Sequence, residues 1–320
     1  MSIRNPELHI RALNPEQDIP SLVHLRTEIE AADQSGANTS EAGLRAQFAW
    51  PGHDPRQDRW VIEAPDDSGR FIGHGWIFAQ SPQRSILEVA VHPQWRRQGL
   101  GRKLLEKALA RAQAKDARQI VAGARAKQKA GQAFLAAQQF VPVGHNRFMK
   151  APAATPIETP VWPAGFQVRT FAELGDVAYL VAGSNGCYTD MWGHRENTEP
   201  ASIAHFQEIM AKWPDAYVPA GIFVLFSPNG EVAGICFNRV DEDTQEKVLD
   251  APGIVPAYRH LGLHRPLVQA SMHWLNAQAD GMFHLDTWGD FEEAVQIYQE
   301  LGFTLTEDNH MIEYLLIAGA

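Results

Sequence analysis

The chain repeats itself once, at long range. HPQWRRQGLGRKLLEKAL over residues 92–109 returns as VPAYRHLGLHRPLVQASM over residues 255–272. Pro93, Arg96, Gly99, Leu100, Arg102 and Leu104 map onto Pro256, Arg259, Gly262, Leu263, Arg265 and Leu267, each 163 positions later, and the same offset carries Phe140 onto Phe303. Repeats of roughly 20 to 50 residues build solenoids, whereas a period this long makes each copy a whole domain. A length of 320 residues suits two cores of ordinary size. Between the copies, Pro152, Pro156, Pro160 and Pro163 remove backbone donors and oppose helix and central strand. Residues 151–165 are therefore expected to be an extended, semi-rigid linker between an N-terminal domain (1–150) and a C-terminal domain (166–320).

Charge and composition exclude several classes of function. With 28 Lys+Arg against 38 Asp+Glu, net −10, the chain has no global basic field to hold a nucleic acid. No apolar run reaches the roughly 20 residues of a bilayer span, and MSIRNPELHIRAL lacks a signal-peptide core, so no membrane partner and a cytoplasmic location are expected. Cys187 and Cys236 are too few for a disulfide framework and are expected to be reduced.

Periodicity predicts mixed helices and strands in both halves. In the first, HIRAL, WVIEAP, FIGHGWIFAQ, ILEVAV, QIVAGA and FVPVGHNRFMK read as strands, with helices at 16–32, 40–50, 99–114 and 128–138. The helix at 99–114 places Leu100, Leu104, Leu105, Ala108 and Ala112 on one face. The second half repeats the order with FQVRTF, a helix near 173–183, GIFVLFS, EVAGICFNRV, a strand near 250, a helix at 262–277, MFHLDTW, a helix at 291–301, and FTLTEDNHMIEYLLI.

A strand, a proline, Arg-x-x-Gly-x-Gly and a helix start form a chemically meaningful sequence. The first N–H groups of a helix are unpaired and carry partial positive charge, so they hold a pyrophosphate where the backbone can come close. Gly99 and Gly101 permit that approach, and Arg96, Arg97 and Arg102 add cationic donors. VAVHPQWRRQGLGRKLL resembles motif A of the GNAT acetyltransferase superfamily. The resemblance implies an α/β (α+β) chain of two tandem GNAT-like domains, each a mixed, mostly antiparallel sheet flanked by helices. It implies that backbone groups of Arg97, Gln98, Gly99, Leu100, Gly101 and Arg102 bind the pyrophosphate of acetyl-CoA, used as co-substrate, beside Arg96. The strand segment Val89, Ala90 and Val91 would pair with its pantetheine arm. The corresponding set in the second half is Ile254, Arg259, His260, Leu261, Gly262, Leu263, His264 and Arg265, with His264 where the second glycine would stand. If His264 displaces the backbone, the loss of one or two charged hydrogen bonds costs about 2 to 5 kcal/mol.

Acetyl transfer to an amine needs a base, a polarised thioester carbonyl and a proton for the departing thiolate. DFEEAVQIYQELGF places Tyr298 where the family often carries a tyrosine for that proton, or as a residue that packs beside the cofactor. The first half has Leu135 there. Glu88 is the candidate base of the first half, with a solvated edge glutamate as the alternative. Asp250 holds the comparable place in the second, and His284 and Asp286 stand on the neighbouring strand. His260 and His264 lack a third ligand, so no metal is expected. The acceptor expected is a small-molecule or peptide amine, lined by QSGANTSEAG in one half and residues 184–200 in the other. The competing reading is a degenerate acyl-CoA-binding or sensor protein.

Overall fold

The computed structural model describes residues 8–318 apart from 51, 67, 82, 193, 195–198, 213, 215–216, 242–243, 289–291 and 307–309. The first half runs β1 (Ile10–Ala12), α1 (Ile19–Asp33), α2 (Glu41–Phe48), α3 (Pro55–Asp58), β2 (Arg59–Glu63), β3 (Phe71–Ser81), β4 (Arg84–Val91), α4 (Leu100–Ala114), β5 (Gln119–Arg125), α5 (Lys129–Ala137) and β6 (Val141–Ala151). The second runs β7 (Gln167–Thr170), α6 (Phe171–Leu174), α7 (Ala178–Gly186), α8 (Glu199–Lys212), β8 (Ile222–Phe226), β9 (Val232–Val240), β10 (Lys247–Ile254), α9 (His264–Asn276), β11 (Phe283–Trp288), α10 (Glu292–Glu300), β12 (Thr304–Leu305) and β13 (Met311–Ile317). Sequence periodicity misses the short α3 and the amphipathic α8. It also runs β12 and β13 together as one strand.

The chain forms two compact units whose borders differ from the expected ones at 150 and 166. One holds residues up to Val143 together with Met311 onward, and the other holds Gly144–His310. The reason is strand pairing. In the N-terminal unit the order β1-β2-β3-β4-β5 is completed by β13, which pairs antiparallel with β5 from Met311↔Arg125 to Ile317↔Gln119. In the C-terminal unit the order β7-β8-β9-β10-β11 is completed by β6, antiparallel to β11 from Phe283↔Ala151 to Trp288↔Asn146. Each borrowed strand feeds the core it joins. Tyr314 of β13 is buried with Leu87, Leu105 and Phe140, while Met149 and Ala151 of β6 are buried with Leu249, Met272 and Phe303.

Within each unit one pair of strands is parallel. β4 pairs with β5 from Arg84↔Gln119 to Leu87↔Ala122, and β10 pairs with β11 from Lys247↔Phe283 to Asp250↔Asp286. Pairing then stops in both, while the far edges stay paired: Glu88–Val91 with β3, and, past a register shift, Gly253 and Ile254 with β9. The parallel strands therefore part at Leu87 and at Asp250. α4 covers its sheet with the five residues its periodicity selects, Leu100, Leu104, Leu105, Ala108 and Ala112, all buried. Among the described residues no helix is long and apolar enough to cross a membrane.

Candidate active site

The two loops ahead of α4 and α9 are built alike. β4 leads through a 3-10 turn (Pro93–Trp95) to Gly99, the N-cap of α4, at φ 82°. β10 leads through a 3-10 turn (Pro256–Leu261) to Gly262, at φ 71°. Both glycines occupy the left-handed region, which L side chains enter only with strain. Each turn is fastened by one arginine. Arg96 donates from Nε to the Val91 carbonyl (2.9 Å) and from Nη1 and Nη2 to the two carboxylate oxygens of Asp33 at the end of α1 (2.8 and 2.7 Å). Arg259 donates from Nε to the Ile254 carbonyl (3.0 Å), and its fork reaches Asp190 (2.6 and 2.9 Å) and the Cys187 carbonyl (2.8 Å). The guanidinium groups expected to meet a phosphate are thus turned inward, and they lock strand end to helix end.

The remaining loop residues divide by burial. Arg97, Gln98 and Gly99 are exposed, with Arg97 itself at φ 64°, while Leu100 is a buried anchor. Arg102 is exposed and pairs with Glu106 one turn on. Gly101 leaves space, since a Cβ there meets nothing nearer than Phe134 at 3.7 Å. In the second loop His260, Leu261 and Gly262 are exposed and Leu263 is the anchor. Arg265 pairs with Glu300 of α10. His264 is 7% exposed, and burial, reinforced by Arg259, lowers its imidazole to about 4. It is a neutral, inward-packed ring where the first loop has a glycine beside Phe134 and Val91.

Past the point where β10 and β11 part, the C-terminal unit gathers several polar groups. Asp250 opposes Phe237 and Gly253 opposes Ile235, so Ala251 and Pro252 together face Cys236 in a bulge. A proline suits that place because the bulged residue has no ladder bond to lose. The Tyr188 hydroxyl lies against Gly253, where a Cβ would stand 2.7 Å from it. Cys187 lies against Gly253 as well, Cys236 Sγ stands 3.9 Å from the Asp250 carbonyl, and burial raises the Tyr188 phenol well above its usual range, with Cys187, Cys236, Tyr298 and Asp250 adding to the shift. Tyr298, on α10, is 2% exposed; burial first and Cys236 second raise its hydroxyl, so it keeps its proton. The Asp250 carboxyl is raised by desolvation against the opposing pull of Arg239. Phe206 of α8, Phe237 and Tyr217 form an aromatic group whose Tyr217 also senses Asp250. Tyr188 falls within the stretch 184–200 expected to line an acceptor pocket, whereas Tyr217 was missed, since no spacing in the sequence ties it to β10.

His284 lies 2.8 Å from Glu246, and the Asp286 side chain is outside the described residues. Cys187 and Cys236 are free and fully buried, with thiols pushed up to about 12 by burial. In the N-terminal unit Glu88 follows the last β4–β5 pair directly and lies in a cross-strand row with Trp76 and Arg59. Leu135, the counterpart of Tyr298, is buried with Leu105 and Ala122. Among the described residues no three His, Cys, Asp or Glu side chains are placed to hold a metal.

Parting parallel strands before a left-handed glycine and a helix start agree with what comparison finds. The acetyltransferase (GNAT) family matches residues 23–140. Mycothiol acetyltransferase of Thermobifida fusca is 29% identical over 318 residues, covering 93% of this chain and 95% of that protein. Mycothiol acetyltransferase of Nocardia farcinica is 30% identical over 256 residues, covering 78% and 80%. The chain belongs to the GNAT acetyltransferase family. It is an N-acetyltransferase. Its fold is shared with a GCN5-related N-acetyltransferase from Sphaerobacter thermophilus (TM-score 0.69, 17% identity, 98% and 96% coverage). A tandem GNAT protein from the clavulanic acid biosynthesis pathway also shares it (TM-score 0.62, 18% identity, 98% and 99% coverage).

Proposed function

We propose that this GNAT enzyme transfers acetyl from acetyl-CoA to the primary amine of a small molecule, and that the reaction runs in the C-terminal unit. The observation that carries this reading is the parting of β10 and β11 at Asp250, with the Tyr188 hydroxyl against Gly253 of the same strand and Tyr298 buried in one cluster with Leu249. The amine nitrogen attacks the thioester carbonyl, forming the C–N bond as the C–S bond breaks. The proton lost by the amine passes to Asp250, directly or through a water, and a carboxylate raised toward neutrality is the better base there. The Tyr298 hydroxyl gives its proton to the departing thiolate, a role that suits a phenol held protonated by burial. Relatives named mycothiol acetyltransferase along most of the chain favour a small acceptor over a peptide. The N-terminal loop, with exposed Arg97–Gly99 and a Gly101 that carries no side chain toward Phe134, is read as a second acetyl-CoA site.

The test is calorimetric titration of acetyl-CoA into the intact protein, with Gly101→Glu and His264→Glu placing a like charge in one loop each. Turnover is followed as thiol release with a panel of small primary amines. His264→Glu is expected to abolish turnover, and Gly101→Glu is expected to remove one binding event while turnover persists. An intact protein that binds no acetyl-CoA sinks the reading.

A further inference from the structure

The sheet face that carries Glu88 in the N-terminal unit also carries an excess of buried positive charge. Arg59 is 2% exposed and Arg26, on α1, 8%. Arg26 Nη1 and Arg59 Nη2 both donate to Gln47 Oε1, at 3.4 and 3.2 Å. The remaining hydrogen bonds run from Arg26 Nη2 to the Asn38 carbonyl (2.7 Å) and from Arg59 Nε to His53 Nε2 (2.8 Å). Every one of these acceptors is neutral. The nearby Asp58 carboxylate is already held by Arg111 (2.8 Å) and Lys115 (2.7 Å). Glu88 stands 3.7 Å from His74 with about half its side chain, 47%, in water. Against Arg26, Arg59, Arg111 and Lys115 the region sets Asp58, Glu88 and Asp54, which acts on His53, and none of the three accepts a hydrogen bond from Arg26 or Arg59. Guanidinium groups taken out of water without an anionic partner are unfavourable, and proteins seldom leave them so.

Neighbouring groups respond to this field. Burial, with Arg59 adding to it, lowers His53 to about 4; burial, with Arg26 and Arg59 adding, lowers His74 to about 3. Burial, against the pull of Glu88 and with Arg26 adding to it, lowers Arg59 itself to about 10. Trp76, whose ring lies 5.5 Å from the Arg59 guanidinium, is 8% exposed, and among the described residues its indole N–H has no acceptor. Trp50 stands against Trp76 (5.7 Å between rings) and Phe78 (5.0 Å), which supplies an aromatic wall beside the donors.

We propose that the N-terminal unit carries a binding site for the carboxylate of a small, apolar or aromatic organic acid, with Arg26, Arg59 and the Trp76 N–H as its donors. The planar guanidinium fork matches a planar carboxylate, and the aromatic wall takes the rest of the molecule. The site lies on one face of the β2–β3–β4 sheet, with Arg59, Trp76 and Glu88 in one cross-strand row. It does not rest on which unit transfers acetyl, or on whether acetyl transfer occurs.

Benzoate and benzamide have the same shape and differ in charge, so their calorimetric titration into the full chain, without acetyl-CoA, tests the site. Benzoate is expected to bind one per chain and at least about tenfold tighter than benzamide, and tighter than inorganic phosphate. Arg26→Gln is expected to weaken benzoate at least about tenfold and to leave acetyl-CoA binding unchanged. Equal affinity for benzoate and benzamide, or no binding of benzoate, overturns the proposal with the native protein alone. Phosphate binding more tightly than benzoate overturns the carboxylate assignment.

Discussion

The loops that open α4 and α9 share a scaffold and differ in chemistry. Both fasten the turn with an arginine fork, through Arg96 to Asp33 and Arg259 to Asp190, and both turn at a left-handed glycine. The first loop then leaves room at Gly101, where the second packs the neutral ring of His264. Beyond the loops the contrast continues. The N-terminal unit has an unbulged β4, an apolar Leu135 and a basic face of Arg26 and Arg59, whereas the C-terminal unit has a bulge at Pro252, a buried Tyr298 and an aromatic face around Asp250. An aromatic face with a carboxylate suits an amine, and a basic face suits an acid. What the two copies share shapes the backbone, and where they differ are the side chains around the two proposed sites.

The sharpest way to break this comparison is at Tyr298. Tyr298→Phe should lower turnover by roughly 100-fold or more while acetyl-CoA affinity stays within a factor of two or so, and Leu135→Met should change neither. Steady-state kinetics beside calorimetry checks this; a matching fall in acetyl-CoA affinity would make Tyr298 a packing residue. Swapping the loop difference comes next. Gly101→His should weaken acetyl-CoA at the N-terminal site by about thirtyfold, equivalent to one charged hydrogen bond, and the C-terminal site should keep its affinity. Calorimetry resolves the two sites, and unchanged N-terminal binding would show that a side chain there does not move the backbone. The smallest effect separates the two forks. Arg259→Met should lower the unfolding free energy by about 3 kcal/mol and Arg96→Met by about 1.5 kcal/mol, because Arg259 is the less exposed and also holds the Cys187 carbonyl. Urea melts measure both, and equal losses would remove the distinction.

The helix behind each loop was legible because its cues are local. A left-handed turn calls for glycine, and five apolar positions at helical spacing define the buried face of α4. The duty of Arg96 and Arg259 was not legible. Nothing near them in sequence announces Asp33 or Asp190, and an arginine beside a glycine-rich turn reads equally well as a phosphate ligand. Arg26, Arg59 and Tyr217 escaped for the same reason, since each gains its meaning from partners on other elements.

The sequence by itself determined that the protein is a doubled GNAT chain, because a repeat held at constant offset and a strand-glycine-helix motif are written in consecutive residues. Only the tertiary structure decided which strands complete which sheet. β6 and β13 have the alternation of any half-buried strand, and that pattern states which face is apolar but not which neighbour supplies the hydrogen bonds. The choice belongs to long-range pairing. That is why β13 joins β5 and β6 joins β11, and why the borders of the compact units fall after Val143 and after His310 rather than at the proline-rich segment.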